Sequence, residues 1–236
     1  MSTFKCYYLN ASKIFSLRTR PATPGRPNFF NVEFKIAENV TKHLDPRGSG
    51  IYAIFFDEML IYVGSFLGQA SDNGGGNIIK TRWDKHLGTI SMRGHKVSIG
   101  PRAFEKLEKS RLESELLHSL SKYSSDSLAL HRGCVSSVNR VSFAADNWAT
   151  FESFNNSTLE RFSFLYVRCM NLPVKSSEFK KRILEVEKGA IAWLKPRCNK
   201  EIPSGLHLSK VTVKTAKEKI LTDLMDDLDV SFRKAA

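Results

Sequence analysis

Residues 50–64 of the chain read GIYAIFFDEMLIYVG, and this stretch predicts the element around which the fold is built. Two runs of β-branched and aromatic residues lie on either side of an acidic turn and are bounded by Gly50 and Gly64. Such runs with glycine at their ends are typical of a β-hairpin. One tyrosine lies near each outer end of the hairpin, Tyr52 on the first strand and Tyr62 on the second.

The length of the turn decides whether the two tyrosines share a face of the sheet. Side chains alternate between faces, so a two-residue loop, which pairs Phe56 with Met59, would place Tyr52 and Tyr62 on opposite faces. A three-residue loop would pair Phe56 with Leu60 and place both tyrosines on one face. The turn has no glycine or asparagine to supply the positive φ that two-residue loops prefer. The longer loop is therefore favoured.

Two later helices carry polar residues beside apolar stripes. The segment from Ile78 to Ser91 has helical periodicity, and Arg82 and His86, four residues apart, lie on one of its faces. Taken alone, this pair is an ordinary feature of a helix surface. In the helix that begins at position 176, Glu187 occupies a line of otherwise apolar positions. A carboxylate is costly to bury there unless it meets a cation or a metal.

The segments around the second helix complete the pattern. Residues 161–170 have strand chemistry and would complete a three-stranded antiparallel sheet with the hairpin. The helix is predicted to end before Pro196, because proline lacks an N–H and disfavours a helical residue before it. The chain then turns to Asn199. A single carboxylate on a helix is weak evidence for a functional site, but the order in which these elements follow one another along the chain strengthens that evidence.

In this order the residues resemble the motifs of the GIY-YIG nuclease superfamily. Gly50-Ile51-Tyr52 and Tyr62-Val63-Gly64 are similar to its double signature, with valine in place of the second isoleucine. Arg82 followed by His86 resembles the next helix of some restriction enzymes in this group, which carry an arginine and, one turn later, a histidine. The resemblance covers about residues 49–92 and 161–199.

The closing motif of the superfamily is a metal-binding glutamate on a helix and a proline-containing turn to an asparagine. Glu187 and Asn199 resemble it. The resemblance implies an α+β nuclease core, a small three-stranded antiparallel sheet flanked by helices. It also implies a Mg²⁺-dependent DNA endonuclease, with Mn²⁺ as an expected substitute, in which Glu187 holds the metal. Arg82 would bind the scissile phosphate, where a guanidinium fork fits. Asn199 would orient Tyr52 or a phosphate oxygen.

The general base is the harder assignment, because the pKa of a free tyrosine lies near 10 and that of histidine near 6.5. We expect Tyr52 to deprotonate the attacking water, His86 to receive or relay the proton, and Tyr62 to position the phosphate. The two tyrosines exchange roles if Tyr52→Phe still cleaves DNA and Tyr62→Phe does not.

The amino-acid composition limits the kinds of partner and the kinds of site that the protein can have. The 236 residues include 36 Lys and Arg against 24 Asp and Glu, a formal net charge of +12, which favours a polyanionic partner and here double-stranded DNA. The 4 cysteines form no CxxC pair, so neither a zinc ribbon nor a redox motif is predicted. No apolar run is long enough for a signal peptide or a membrane span, so we expect a cytoplasmic protein without membrane contact.

We divide the chain into a basic N-terminal extension (1–48), a nuclease domain (49–200) with a mostly helical insertion (94–159), and a C-terminal helical tail (201–236). The extension interleaves basic residues with Phe15, Phe29, Phe30 and Phe34, so it is either an arm that follows a DNA backbone or a segment whose aromatic residues pack on the core. Within the insertion, residues 104–123 are predicted as one amphipathic helix.

Three functions remain open. The histidine after the motif arginine favours a type II restriction enzyme that cuts a short specific sequence, and a palindromic target would imply a homodimer. The second is a structure-selective repair, recombination or mobile-element nuclease with the same site. The third is a basic nucleic-acid-binding protein that does not cleave, in which the tyrosines and Glu187 are structural.

Overall fold

The chain folds as a mixture of helices and mostly antiparallel strands, and it divides into two compact units. The computed structural model describes residues 4–40, 44–68, 77–109, 113–129, 134–170, 177–202, 206 and 210–229. The first unit comprises Met1–Lys13, Glu38–Ile78 and Arg161–Ala236, and the second comprises Ile14–Ala37 and Ile79–Glu160. Each unit is therefore built from segments that are distant in sequence.

The described strands are β1 (Phe4–Asn10), β2 (Phe15–Thr19), β3 (Val32–Ile36), β4 (Gly50–Phe56), β5 (Met59–Phe66), β6 (Val97–Ile99), β7 (Cys134–Ser136) and β8 (Phe162–Cys169). The described α-helices are α1 (Asp84–Ser91), α2 (Pro101–Lys109), α3 (Glu115–Ser121), α4 (Ser125–Leu128), α5 (Val138–Asp146), α6 (Trp148–Phe151), α7 (Asn156–Glu160), α8 (Ser177–Leu194) and α9 (Val213–Leu224). Single π-helical turns precede α1 (Ile79–Trp83) and follow α9 (Met225–Asp229).

The main sheet of the first unit has four antiparallel strands in the order β1-β8-β4-β5. Three of them are the predicted hairpin and the predicted strand at 161–170. The fourth, β1, lies in the segment assigned to the N-terminal extension, so the expectation of three strands was one too few. β1 pairs along its whole length with β8, from Phe4 opposite Cys169 to Asn10 opposite Ser163. It therefore covers an edge of β8 that a three-stranded sheet would leave open.

The turn between β4 and β5 contains two residues, so the prediction of a three-residue loop was wrong. Asp57 and Glu58 both have positive φ, 50° and 63°, as the common two-residue hairpin turn requires. The pairing then shifts by one residue between Phe55 and Ile54, and Ile54 lies opposite Tyr62. This β-bulge restores the pairing that the longer loop predicted and places Tyr52 and Tyr62 on one face.

One face of this sheet is covered by α8 and α9, which pack on a continuous apolar core. The core residues on the strands include Ile51, Ala53 and Val63, and those on α8 include Ile183 and Ala190. The helix predicted from position 176 is observed, and it ends at Leu194 before a residue with φ of 45°. The α8–α9 packing therefore fixes the position of α8 on β4 and β5.

The outer edge of β5 is covered by the chain that follows α8. The Leu60 N–H donates to the Val211 carbonyl at 3.1 Å, and the Cys198 N–H donates to the Ile61 carbonyl at 2.8 Å. Edge strands expose unpaired backbone groups, and these bonds satisfy two of them. The segment that contains the predicted closing motif is thus attached directly to the hairpin.

The second unit is built around the helical run 78–91, which the sequence predicted. The apolar residues of its stripe, Ile79, Trp83, Leu87 and Ile90, are fully buried. The parallel pair β6–β7 and helix α5 pack against α1. The single helix expected over 104–123 is instead two helices, because Ser114 is extended and its side chain accepts a hydrogen bond from the Leu117 N–H to cap α3.

The aromatic residues of the N-terminal segment pack in the second unit, as one of the two alternatives predicted. Phe15 and Phe30 are buried, and Phe29 contacts Trp148 edge to face at 5.0 Å between ring centroids. Arg26 is also buried, stacks on Phe30, and donates to backbone carbonyls. Within the described part of the chain, no helix is both long and apolar enough to cross a membrane.

Candidate functional site

The hairpin brings the two predicted tyrosines into contact. The ring centroids of Tyr52 and Tyr62 are 6.1 Å apart and the rings are tilted by 33°. Tyr52 is 1% exposed, whereas Tyr62 is half-buried. A Cβ atom on Gly64 would lie 2.6 Å from both Cζ and Oη of Tyr52 and 2.9 Å from Cε1 of Tyr62. Only glycine at this position leaves room for the two phenol rings as they lie.

Gly50 is required for a similar reason at the other end of the signature. A Cβ atom there would overlap the Val167 carbonyl oxygen and lie 2.9 Å from Cε2 of Tyr166. Tyr166 lies directly opposite Tyr52 on β8 and donates its hydroxyl proton to the Gly48 carbonyl at 2.7 Å. Burial raises the pKa of Tyr166 far above its ordinary value, so this phenol stays protonated. The sequence analysis did not single out Tyr166, which is a structural neighbour of the tyrosine pair.

Glu187 on α8 reaches the hairpin through Ser65. The Ser65 hydroxyl on β5 donates to Oε2 of Glu187 at 2.6 Å, and both residues are half-buried. A hydrogen bond to a carboxylate is among the stronger ones in proteins and orients the group that accepts it. The sequence analysis missed Ser65, although its place directly after the second glycine of the signature was visible.

The side chain of Asn199 hydrogen-bonds to the hairpin at Val63, two residues before Ser65. Its Oδ1 accepts a hydrogen bond from the Val63 N–H at 2.9 Å, and its Nδ2 donates to the Val63 carbonyl at 2.8 Å. Asn199 is 2% exposed and Val63 is fully buried. The amide thus acts as a backbone partner for the edge of β5. These two bonds attach Asn199 to the strand that carries Tyr62, and its expected role in orienting Tyr52 or a phosphate oxygen stays a prediction.

The tyrosines and Glu187 approach the sheet from different sides. Val63 belongs to the core under α8, and side chains alternate along a strand, so Ser65 shares the face on which α8 packs. Tyr52 and Tyr62 project from the opposite face. β5 is an edge strand. Tyr62 and Glu187 therefore lie on opposite faces of the sheet, and the edge of β5 between them is bound by the side chain of Asn199.

Glu187 is the residue that the resemblance assigns to a metal ion. Mg²⁺ is a hard cation that is commonly held by one or two carboxylates together with waters and phosphate oxygens. Glu187 is half-buried and held by Ser65 through one of its two oxygens. No three His, Cys, Asp or Glu side chains among the described residues form a group that could hold a metal alone. A Mg²⁺ ion at Glu187 would therefore take its remaining ligands from water and substrate.

The second unit carries the other two predicted residues on adjacent turns of one helical run. Arg82 is exposed and lies in the π-helical turn, and His86 lies in α1 and is 8% exposed. Burial lowers the pKa of His86 well below its usual value, and the positive charges of Arg140, Arg82 and Lys85 lower it further. The imidazole is therefore neutral at pH 7, the form that can accept a proton.

Asp84 lies between these two residues in sequence and has the opposite pKa shift. Burial raises the pKa of its carboxyl group to about 6, and the backbone N–H and the charge of Lys85 only partly offset this effect. The Lys85 N–H donates to Oδ1 of Asp84 at 2.7 Å. Asp84 thus takes up a proton at a higher pH than an ordinary aspartate does.

Comparison with known proteins gives no match: no protein-family model, no curated protein and no solved structure is significantly similar to this chain.

Proposed function

We propose that the protein is a Mg²⁺-dependent DNA endonuclease that hydrolyses phosphodiester bonds. One observation carries the proposal. Both residues of the closing motif, Glu187 and Asn199, hydrogen-bond to β5 within three residues of Tyr62, although they are more than a hundred residues away in sequence. The two glycines of the double signature are also positions where any side chain would collide with a tyrosine or with the neighbouring strand.

Hydrolysis of a phosphodiester needs an in-line water, stabilisation of negative charge on the phosphoryl oxygens, and assistance to the leaving oxygen. Mg²⁺, when bound, would supply charge stabilisation. Glu187, oriented by Ser65, is the residue that would hold it. Tyr62 is half-buried and so is the tyrosine with surface to offer a phosphate. Asn199 holds the strand on which Tyr62 lies.

The resemblance assigns proton transfer to Tyr52 and His86, and phosphate binding to Arg82. The neutral state of His86 supports its role as a proton acceptor, and the exposure of Arg82 supports its role in binding an external anion. Tyr52 is 1% exposed, whereas Tyr62 is half-buried. The burial of Tyr52 favours the exchanged assignment, in which Tyr62 deprotonates the water and Tyr52 positions the phosphate.

For the substrate we propose double-stranded DNA, which the net charge of +12 favours, cut at a short specific sequence by a type II restriction enzyme. Cutting both strands of a palindrome would require two copies of the site, and hence a homodimer. A cytoplasmic location belongs to the same proposal.

Cleavage of supercoiled plasmid and bacterial genomic DNA in Mg²⁺ tests the proposal, with the ends of the products sequenced. Wild type is compared with Glu187→Gln and with Glu185→Gln, a matched control that removes an exposed carboxylate from the same helix. We expect discrete fragments that share a short sequence from wild type and the control, and none from Glu187→Gln. Cleavage only at nicks or branches would indicate a structure-selective nuclease, and cleavage by Glu187→Gln would refute the assignment of this residue.

Two observations favour the non-cleaving alternative, a basic nucleic-acid-binding protein. Tyr52 is almost completely buried, and both polar atoms of the Asn199 amide are engaged by the backbone of Val63. Both features are what structural roles require. This alternative predicts DNA binding that is unchanged in Glu187→Gln, with no Mg²⁺-dependent cleavage by wild type.

A further inference from the structure

Helix α5 places an arginine from the predicted insertion against the helix that carries His86. Arg140 is half-buried, and its Nη1 donates to Oγ1 of Thr89 at 2.7 Å. α5 packs along α1 in the same unit. Thr89 lies one turn after His86. The guanidinium of Arg140 is therefore fixed beside the turn of α1 to which the sequence analysis assigned the active-site histidine.

The hydrogen-bonding partner of Arg140 is itself held in place. Thr89 is 1% exposed and donates its hydroxyl proton to the Lys85 carbonyl at 2.9 Å. The Ser136 hydroxyl, on β7, donates to the Thr89 carbonyl at 2.7 Å. The bond from Arg140 to Thr89 sets the direction of the guanidinium group. A pre-oriented guanidinium loses less conformational entropy when it binds a ligand.

The surroundings of Arg140 are positively charged. Arg82 and Lys85, both exposed, belong to the helical run that carries His86, and the charges of Arg140, Arg82 and Lys85 all act on that imidazole. Arg82 makes no ion pair with any residue that the structure describes. Like charges held close together repel each other, and an anion that binds among them relieves this repulsion.

We propose that Arg140 is a second phosphate-binding residue, which together with Arg82 forms a site for a backbone phosphate of DNA beside His86. This inference rests on the proposed function for its substrate class, but it concerns binding and not the cleavage step. Two arginines on separate helices would contact different oxygens of one phosphate, or adjacent phosphates, because a guanidinium binds oxygen pairs in a fixed geometry.

The test is DNA binding as a function of salt concentration, measured with Glu187→Gln as the parent protein so that no DNA is cut. The slope of log K against log salt concentration changes by about 0.9 for each phosphate that a cation neutralises on B-DNA. We compare the parent with Arg140→Gln, Arg140→Lys and Lys109→Gln. Lys109 is a control in the same unit, because its charge is already paired with Glu105 at 2.6 Å.

We expect Arg140→Gln to reduce the slope by about 1, Arg140→Lys to keep it, and Lys109→Gln to leave it unchanged. If Arg140→Gln lowers only the melting temperature and keeps the parental slope, Arg140 merely packs α5 on α1 and the inference fails. Failure of the parent to bind DNA also overturns it. A reduced slope together with a wild-type protein that never cuts DNA would support the phosphate site and refute the nuclease.

Discussion

The substitution Gly64→Ala tests whether the packing of the tyrosine pair matters for activity. The added methyl carbon would lie 2.6 Å from Cζ and Oη of Tyr52 and 2.9 Å from Cε1 of Tyr62. Carbon atoms pack at about 3.5–4.0 Å, so at least one ring must move by about 1 Å. Tyr52 is 1% exposed and has no open space to enter. Overpacking of this kind costs about 1–3 kcal/mol.

Thermal unfolding and the rate of DNA cleavage measure the two consequences separately. In a domain of this size, each kcal/mol lowers the melting temperature by about 2–4 °C. A displacement of about 1 Å of a positioned catalytic group can reduce the rate about 100-fold. Gly189→Ala is the matched control, because nothing lies within 4 Å of the place its Cβ would take in α8, and alanine favours a helix by about 1 kcal/mol over glycine. It should be slightly more stable and fully active.

The substitution Gly50→Ala is a second test of whether a loss of stability can be distinguished from a loss of activity. Its Cβ would overlap the Val167 carbonyl oxygen, which belongs to a central strand and cannot rotate away as a ring can. We therefore expect a larger loss of stability than in Gly64→Ala. If Gly64→Ala is destabilised but cleaves at the wild-type rate, the position of the tyrosines does not control activity. If neither its stability nor its rate changes, the close contact with Tyr52 is not present in solution.

Two other substitutions address the hairpin and its contacts, and a third addresses the second unit. Asn199→Ala leaves the buried N–H and carbonyl of Val63 without the side-chain amide, at about 1–3 kcal/mol for each group, and the midpoint of urea unfolding should fall accordingly. Ser65→Ala removes the bond that orients Glu187, so the Mg²⁺ concentration for half-maximal cleavage should rise about 10–100-fold, with unfolding little changed. The pKa of Asp84 is raised to about 6 in the folded state, against about 3.9 in the unfolded chain. The folded state therefore binds the proton more tightly than the unfolded state does. The contribution of Asp84 to the free energy of unfolding is present below pH 4 and is lost as the pH rises through 6. Asp84→Asn should remove that pH-dependent loss from the unfolding free energy measured between pH 4 and 7.

The hairpin shows which features local sequence could predict. The two strands and the shared face of the tyrosines were predicted. The length of the turn was not, because the preference for glycine or asparagine at positive φ takes into account only the residues of the turn itself. Arg161, 104 positions away, donates to the carboxylate of Asp57 at 2.8 Å, and the Asp57 N–H donates to the Arg161 carbonyl. This tertiary contact stabilises a turn that local preference disfavours.

The same limit applies to residues that act through a neighbour. Glu187 was visible because a carboxylate interrupted an apolar line, whereas Ser65 and Arg140 interrupt no pattern. Serine and arginine are ordinary on exposed strands and helices, and only the three-dimensional pairing with Glu187 and with Thr89 distinguishes them. A sequence pattern can therefore predict Glu187, but it cannot predict the hydroxyl of Ser65 that orients Glu187 or the guanidinium of Arg140 that binds Thr89.

Strand β5 offers three different surfaces within four residues. Tyr62 projects from one face, the backbone of Val63 binds Asn199 at the edge, and Ser65 binds Glu187 on the face that α8 covers. An interior strand could not do this, because hydrogen bonds to its neighbours occupy both edges. Because β5 lies at the end of the sheet, its outer edge is free of a neighbouring strand in the described part of the chain and binds Asn199 and the Cys198 N–H, which attach the closing motif to the strand that carries Tyr62.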